Sequence, residues 1–149
     1  MKQAIEQFLK CKNIAVVGMS SKTAKFGNLA YKELSNKDYN LFSIHPKSKR
    51  IDGSKCYNSF ESIGETIDGV LVSLHPDETE RVVIAAHLNG VKNIWLQQGA
   101  QSDTAIQYCK ENNINVVYNQ CILMHAEPVR GFHKTHRWFW KVLGKLPKE

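Results

Sequence analysis

The sequence predicts an α/β protein built on a doubly wound, parallel sheet of five strands with helices on both faces. Three observations predict it. Short runs rich in Val and Ile recur as "NIAVVG", "GVLVSL" and "INVVYN", without the polar alternation of a half-exposed strand. Segments of helical periodicity stand between these runs. The connections are short, so consecutive strands run parallel through right-handed crossovers.

The elements follow in order. Residues 2 to 11 form a short helix with Ile5, Phe8 and Leu9 on one face. "NIAVVG" (13 to 18) is a strand buried on both sides. A helix from about Gly27 to Ser35 places Leu29, Ala30 and Leu34 inward. "YNLFSIHP" (39 to 46) is the second strand, ended by Pro46. "FESIGETIDGVLVSLHP" holds a short helix and then a third strand, 69 to 74, again ended by His-Pro. The next helix begins after Pro76, with Asp77, Glu78 and Glu80 where negative charge suits the helix dipole, and stops at Asn89-Gly90. "VKNIWLQ" is the fourth strand. Ser102 or Asp103 caps a helix to about Asn112, and "INVVYN" is the fifth strand.

At 149 residues, 42% hydrophobic and 23% charged, the chain reads as one globular domain (1 to 128) with an extension (129 to 149). No apolar run approaches the roughly 20 residues that span a bilayer. The opening "MKQAIEQFLKCKN" lacks the apolar centre of a signal peptide, so a cytoplasmic location is expected. Cys11, Cys56, Cys109 and Cys121 form no C-x-x-C pair and read as free thiols. The charge is uneven. Six basic residues and one acid from Arg130 onward carry +5 of the formal +6, whereas the first 129 residues hold 14 basic and 13 acidic residues.

Ligands of doubly wound sheets bind at the carboxyl ends of the strands. The first such end is "GMSSKTAKFGN". Gly18 permits a tight turn and close approach of a ligand, Ser20, Ser21 and Thr23 offer hydroxyls, and Lys22 and Lys25 offer charge. The following helix offers free N–H groups to a phosphate. The usual G-x-G-x-x-G is absent, since Ser20 and Thr23 stand where its second and third glycines belong. The second end is "SIHPKSKRIDG". An acid here would accept bonds from the ribose hydroxyls of NAD. His45, Lys47, Lys49 and Arg50 reverse the sign, which points to a nucleotide with an additional ribose phosphate, either coenzyme A or NADP. The third end, "VSLHPDE", is polar. At the fourth, "WLQQGAQS", Gln97, Gln98 and Gly99 can line a groove. At the fifth, Cys121 and His125 stand four apart, but the reading is a packed cysteine beside a satisfied histidine. No paired carboxylates, metal cluster or Walker A sequence stands out, so neither catalytic nor metal-ligating residues are assigned.

At these strand ends the sequence resembles the small stand-alone CoA-binding proteins, similar to the N-terminal domain of the succinyl-CoA synthetase α-subunit. The likeness covers roughly residues 10 to 126 and rests on "IAVVGMSSKTAKFG", "IHPKSKRIDG", "VLVSLHPD", "WLQQGA" and "NQCILMH". It implies a Rossmann-like fold that holds CoA. By position, Gly18, Ser20, Ser21, Lys25, Phe26 and Gly27 would meet the diphosphate. Pro46 and Lys47, with Lys49, would flank the adenine and ribose phosphate. Ser73, His75 and Pro76, then Gln97, Gln98 and Gly99, would line the path of the pantetheine arm. His45 departs from the family, which more often has Asn before that proline. The synthetase's phosphohistidine segment lies in a second domain without counterpart here, so ligase activity does not carry over.

The function expected is non-catalytic binding of CoA or an acyl-CoA. The alternatives are an NADP-linked enzyme or redox sensor, and a module acting through its tail. That tail, "EPVRGFHKTHRWFWKVLGKLPKE", mixes aromatic and basic residues and is expected to dock on its own domain or on a second subunit, rather than bind nucleic acid.

Overall fold

A computed structural model describes residues 1–127; the basic, aromatic extension lies outside the described residues. Helix α1 (Lys2–Leu9) leads into strand β1 (Asn13–Val17), helix α2 (Phe26–Ser35) and strand β2 (Asn40–Ile44). Two short strands follow, β3 (Arg50–Ile51) and β4 (Ser54–Tyr57), then a single 3₁₀ turn, Glu61–Ile63. The second half runs β5 (Gly69–Val72), α3 (Pro76–Leu88), β6 (Asn93–Gln97), α4 (Asp103–Glu111), β7 (Asn115–Gln120) and a 3₁₀ turn, Ile122–Met124.

The sheet has seven strands in the order β3-β4-β2-β1-β5-β6-β7, not the five expected. All pairs are parallel except β3 with β4. The additional strands form a hairpin where the sequence read only a basic loop. Its two-residue turn is Asp52-Gly53, with φ of 50° and 79°. Positive φ at both positions gives the turn whose twist matches a hairpin. A two-residue strand carries no periodicity to read. The hairpin exists because β4 pairs with β2, Ser43 opposite Cys56 and Ile44 opposite Tyr57.

The strands bury both faces, which explains their continuous apolar runs. On one side α1, α2 and the 122–124 turn cover Ile14, Val16, Leu71 and Trp95. Trp95 is fully buried, with its ring edge-on to Phe8 at 5.3 Å and its indole N–H donating to the Gln120 carbonyl at 3.1 Å. On the other side α3 and α4 cover Ala15, Val17, Val70, Val72, Ile94 and Leu96. In α2 the inward residues are Gly27, Asn28, Ala30 and Leu34, whereas Leu29, expected inward, is 42% exposed. Ala30 and Leu34 are inward as expected, and Gly27 and Asn28, close against the loop after β1, take the place expected of Leu29. Among the described residues no helix is long and apolar enough to cross a membrane.

Helix α2 lies on one face and α3 on the other, so the winding reverses between β1 and β5. That switch point is where a doubly wound sheet opens a crevice.

Candidate functional site

The crevice begins at Gly18, directly after β1, with φ of +121°. A Cβ there would lie 2.1 Å from the Ser73 carbonyl oxygen at the end of β5. Glycine is required on both counts, torsion and space. Gly27, in the first turn of α2, is the second required glycine. A Cβ on it would lie 2.5 Å from the Gly18 oxygen and 3.0 Å from the Met19 nitrogen. The helix thus sits directly on the turn that it follows. This is the part played by the last glycine of a dinucleotide fingerprint. The sequence sought that glycine at Thr23, but a longer loop moves it to position 27.

Between them the loop is held by Asn28, which the sequence reading missed. Its Oδ1 accepts from the backbone N–H of Ser20 (2.9 Å) and of Lys25 (3.2 Å). Its Nδ2 donates to the Ser20 carbonyl (3.0 Å) and to Oδ2 of Asp52 (2.8 Å). The loop after β1 is therefore tied to the β3–β4 hairpin. The Ser20 hydroxyl faces inward to the loop, accepting from the amides of Lys22 and Thr23 at 3.3 Å each. Ser21 and Lys25 are exposed, and Phe26 is half-buried. Among the described residues the Lys25 ammonium and the amides of Phe26 and Gly27 make no hydrogen bond.

The second end is a turn built on His45. Its backbone N–H donates to the Tyr57 carbonyl at 2.8 Å, continuing the β2–β4 ladder. Its Nδ1 accepts from the amides of Lys47 (3.2 Å) and Ser48 (2.9 Å). Pro46, Lys47 and Lys49 are exposed, and neither ammonium has a partner among the described residues. Arg50 differs, because its guanidinium donates to the Gly53 carbonyl at 2.8 Å and braces the hairpin.

At the third end Ser73 donates its backbone N–H to Val17 at 2.8 Å. His75 caps α3, its Nδ1 accepting from the Asp77 amide at 3.4 Å with the Asp77 carboxylate 3.1 Å away, and Pro76 begins the helix. Thr79 is fully buried and donates to the Ala100 carbonyl at 2.6 Å, which ties the third end to the fourth. There the expectation fails for Gln97. Its side chain is only 4% exposed, and Oε1 accepts from the Ile122 amide at 3.2 Å. It turns inward to anchor the chain after β7 instead of lining a groove. Gln98 and Gly99 are exposed, with Gly99 at φ of +95°. At the fifth end His125 Nε2 lies 3.0 Å from Gln120 Oε1, and its ring lies 5.7 Å from that of Trp95. Cys121 is buried ahead of a 3₁₀ turn, not on an α-helix.

A cavity of about 490 Å³ joins the first two ends. Gly18, Ser20, Lys25, His45 and Pro46 line it, together with an apolar wall of Ile44, Phe60, Leu74, Val82 and Ala85. The sequence did not identify Phe60 or the α3 residues Glu78 and Arg81, which also line it; helical spacing from the His75 cap would have brought α3 into view. Glu61 is here too, its carboxyl held below the usual range by a hydrogen bond from Asn89. A larger hollow of about 670 Å³ lies between α2 and the hairpin and shares only Met19 and Lys25 with the first. Of the residues expected at the site, Gly18, Ser20, Lys25, His45 and Pro46 line the smaller cavity, whereas Ser21, Phe26, Gly27, Lys47, Lys49 and the residues expected after β5 and β6 do not.

Comparison with known proteins bears on the family and the fold. Residues 12–127 match the family model of the CoA binding domain. An uncharacterized protein of Bacillus subtilis (strain 168), YneT, is 28% identical over 127 residues, covering 84% of this chain and 94% of that protein. A hypothetical protein from Pyrococcus horikoshii OT3 superposes with a TM-score of 0.77 at 28% identity, over 88% of this chain and 93% of that one. An ADP-forming acetate–CoA ligase of Archaeoglobus fulgidus is 32% identical over 68 residues, which is 46% of this chain and 10% of the ligase.

Proposed function

This chain belongs to the CoA binding domain family, and on that premise we propose that it binds coenzyme A or an acyl-CoA without itself catalysing a reaction. One observation carries the reading. The Gly18–Gly27 turn, with unpaired Lys25 and free amides at the start of α2, opens into the same cavity as His45 and Pro46, the first residues of the basic turn after β2. The diphosphate lies on the first turn, where backbone N–H groups and the helix dipole meet negative charge. Lys47 and Lys49 meet the ribose phosphate. The apolar wall from Ile44 to Ala85 takes the base. The pantetheine arm passes Ser73, His75 and Pro76 toward Gln98 and Gly99.

Thermal melting with CoA, dephospho-CoA, NADP and NAD tests this. A ligand at about 100 times its dissociation constant stabilises by about 2.7 kcal/mol. In a chain of this size that raises the midpoint by several degrees. The largest shift is expected with CoA, and a smaller one with dephospho-CoA. Lys47→Ala should weaken CoA by about tenfold or more, since charge-assisted bonds contribute roughly 1.5–3 kcal/mol, and leave dephospho-CoA nearly unaffected. A larger shift with NADP than with CoA would replace this reading.

A further inference from the structure

We infer that His45 is a positioning residue of the proposed ligand site: its neutral ring holds the turn that presents Lys47 and Lys49, and protonation of that ring releases the turn. The inference rests on the reading of the site given above.

The geometry fixes the ring's protonation. Two backbone N–H groups, of Lys47 and Ser48, converge on Nδ1 at 3.2 and 2.9 Å. Both are donors, so Nδ1 must carry a lone pair. The proton of the neutral ring is then on Nε2. The imidazole does here what the carbonyl oxygen of an Asn does in a turn, accepting from amides two and three residues on. Asn cannot be protonated, however, and His changes charge between pH 5 and 8. Once Nδ1 bears a proton, three donors face one another and both turn bonds are lost. Lys47 and Lys49 then lose the frame that sets their position.

Other charged groups stand around the turn. Lys47 and Lys49 stand on the turn itself, and Lys25 lines the same cavity from the loop after β1. Tyr57 of β4 presents its carbonyl to the His45 amide. Arg81 and Glu78 of α3 and Glu61 of the 3₁₀ turn also line the cavity, and Glu61 is bonded to Asn89. No carboxylate is within ion-pair distance of the His45 ring among the described residues. The other strand-end His-Pro shows the contrast. His75 also accepts an amide at Nδ1, but the Asp77 carboxylate lies 3.1 Å from that nitrogen, so a charged ring has a partner there.

Two measurements decide it. Nitrogen-15 NMR of the ligand-free protein, with the His45 signals assigned by their loss in His45→Asn, should give the Nε2–H tautomer at pH 7.5. The Lys47 and Ser48 amides should then move together as the ring titrates. Calorimetric CoA titrations of the wild type, His45→Asn and His45→Ala follow from pH 7.5 to 5.5. The ligand's own phosphate titrates near pH 6 in every protein, so the wild-type to His45→Asn affinity ratio carries the result. That ratio should fall by about fivefold or more between pH 7.5 and pH 5.5, as two hydrogen bonds are lost. His45→Ala should bind weakly throughout. An Nδ1–H tautomer, or a ratio that does not fall with pH, would overturn the inference. If the wild type binds no CoA at any pH, the ligand reading fails, and the tautomer and amide shifts still judge the turn.

Discussion

Asn28 uses all four of its hydrogen-bonding positions on three other residues, and it is 6% exposed. Removing it leaves the Ser20 and Lys25 amides and the Ser20 carbonyl without partners in a loop that has few other bonds. Asn28→Ala should cost about 1–3 kcal/mol by urea denaturation, the usual penalty for stranded polar groups. It should also weaken CoA, because the loop would no longer be pre-formed. Unchanged stability would mean that solvent replaces these bonds and that the loop is not held as described. Asn28→Asp is no rescue, since a second carboxylate would then face Asp52.

The hairpin and the loop after β1 each depend on a glycine, for different reasons. At Gly53, φ is +79° and a Cβ would meet nothing within 4 Å. Gly53→Ala should therefore cost only the torsional penalty, roughly 1–2 kcal/mol. At Gly18 the Cβ would overlap the Ser73 carbonyl, just after β5, at 2.1 Å, and the bond from the Ser73 amide to the Val17 carbonyl holds that backbone in place. Gly18→Ala should be far more damaging, with a midpoint of thermal unfolding well below that of Gly53→Ala. Equal effects would show that β5 yields and that the crossing of the two elements is loose.

Burial of two thiols sets a property of the whole molecule. Desolvation pushes Cys109 up to about 12 and, with the Asp68 charge adding to it, Cys11 up to about 11, from 9.0. Burial raises Tyr39 in the same direction. The unfolded chain releases these protons first, so above pH 9 it binds fewer than the folded one. The stabilisation is complete below pH 9 and is lost as pH rises toward 11 and 12. The urea midpoint should fall steadily from pH 9 to 10.5, and the slope should be shallower in Cys109→Ala. A midpoint that is flat across this range would mean that the thiols are reached by solvent.

The order of five parallel strands with the helices between them, and the turn at Gly18, were legible in the sequence. Each depends on neighbours within a turn or a strand: β-branched runs, a proline after a strand, an acid beside a helix start. The rest was decided by partners far along the chain. The two-residue strand at Arg50 forms only because β4 finds β2. Gln97 turns inward because the Ile122 amide needs an acceptor. Leu29 lies outward because Gly27 brings α2 against Gly18 and so fixes the rotation of the helix. Asn28 joins a loop to a hairpin 24 residues away. Local pattern determines what each segment becomes, whereas the pairing of buried polar groups and the close approach of backbones depend on three-dimensional proximity that no short stretch encodes.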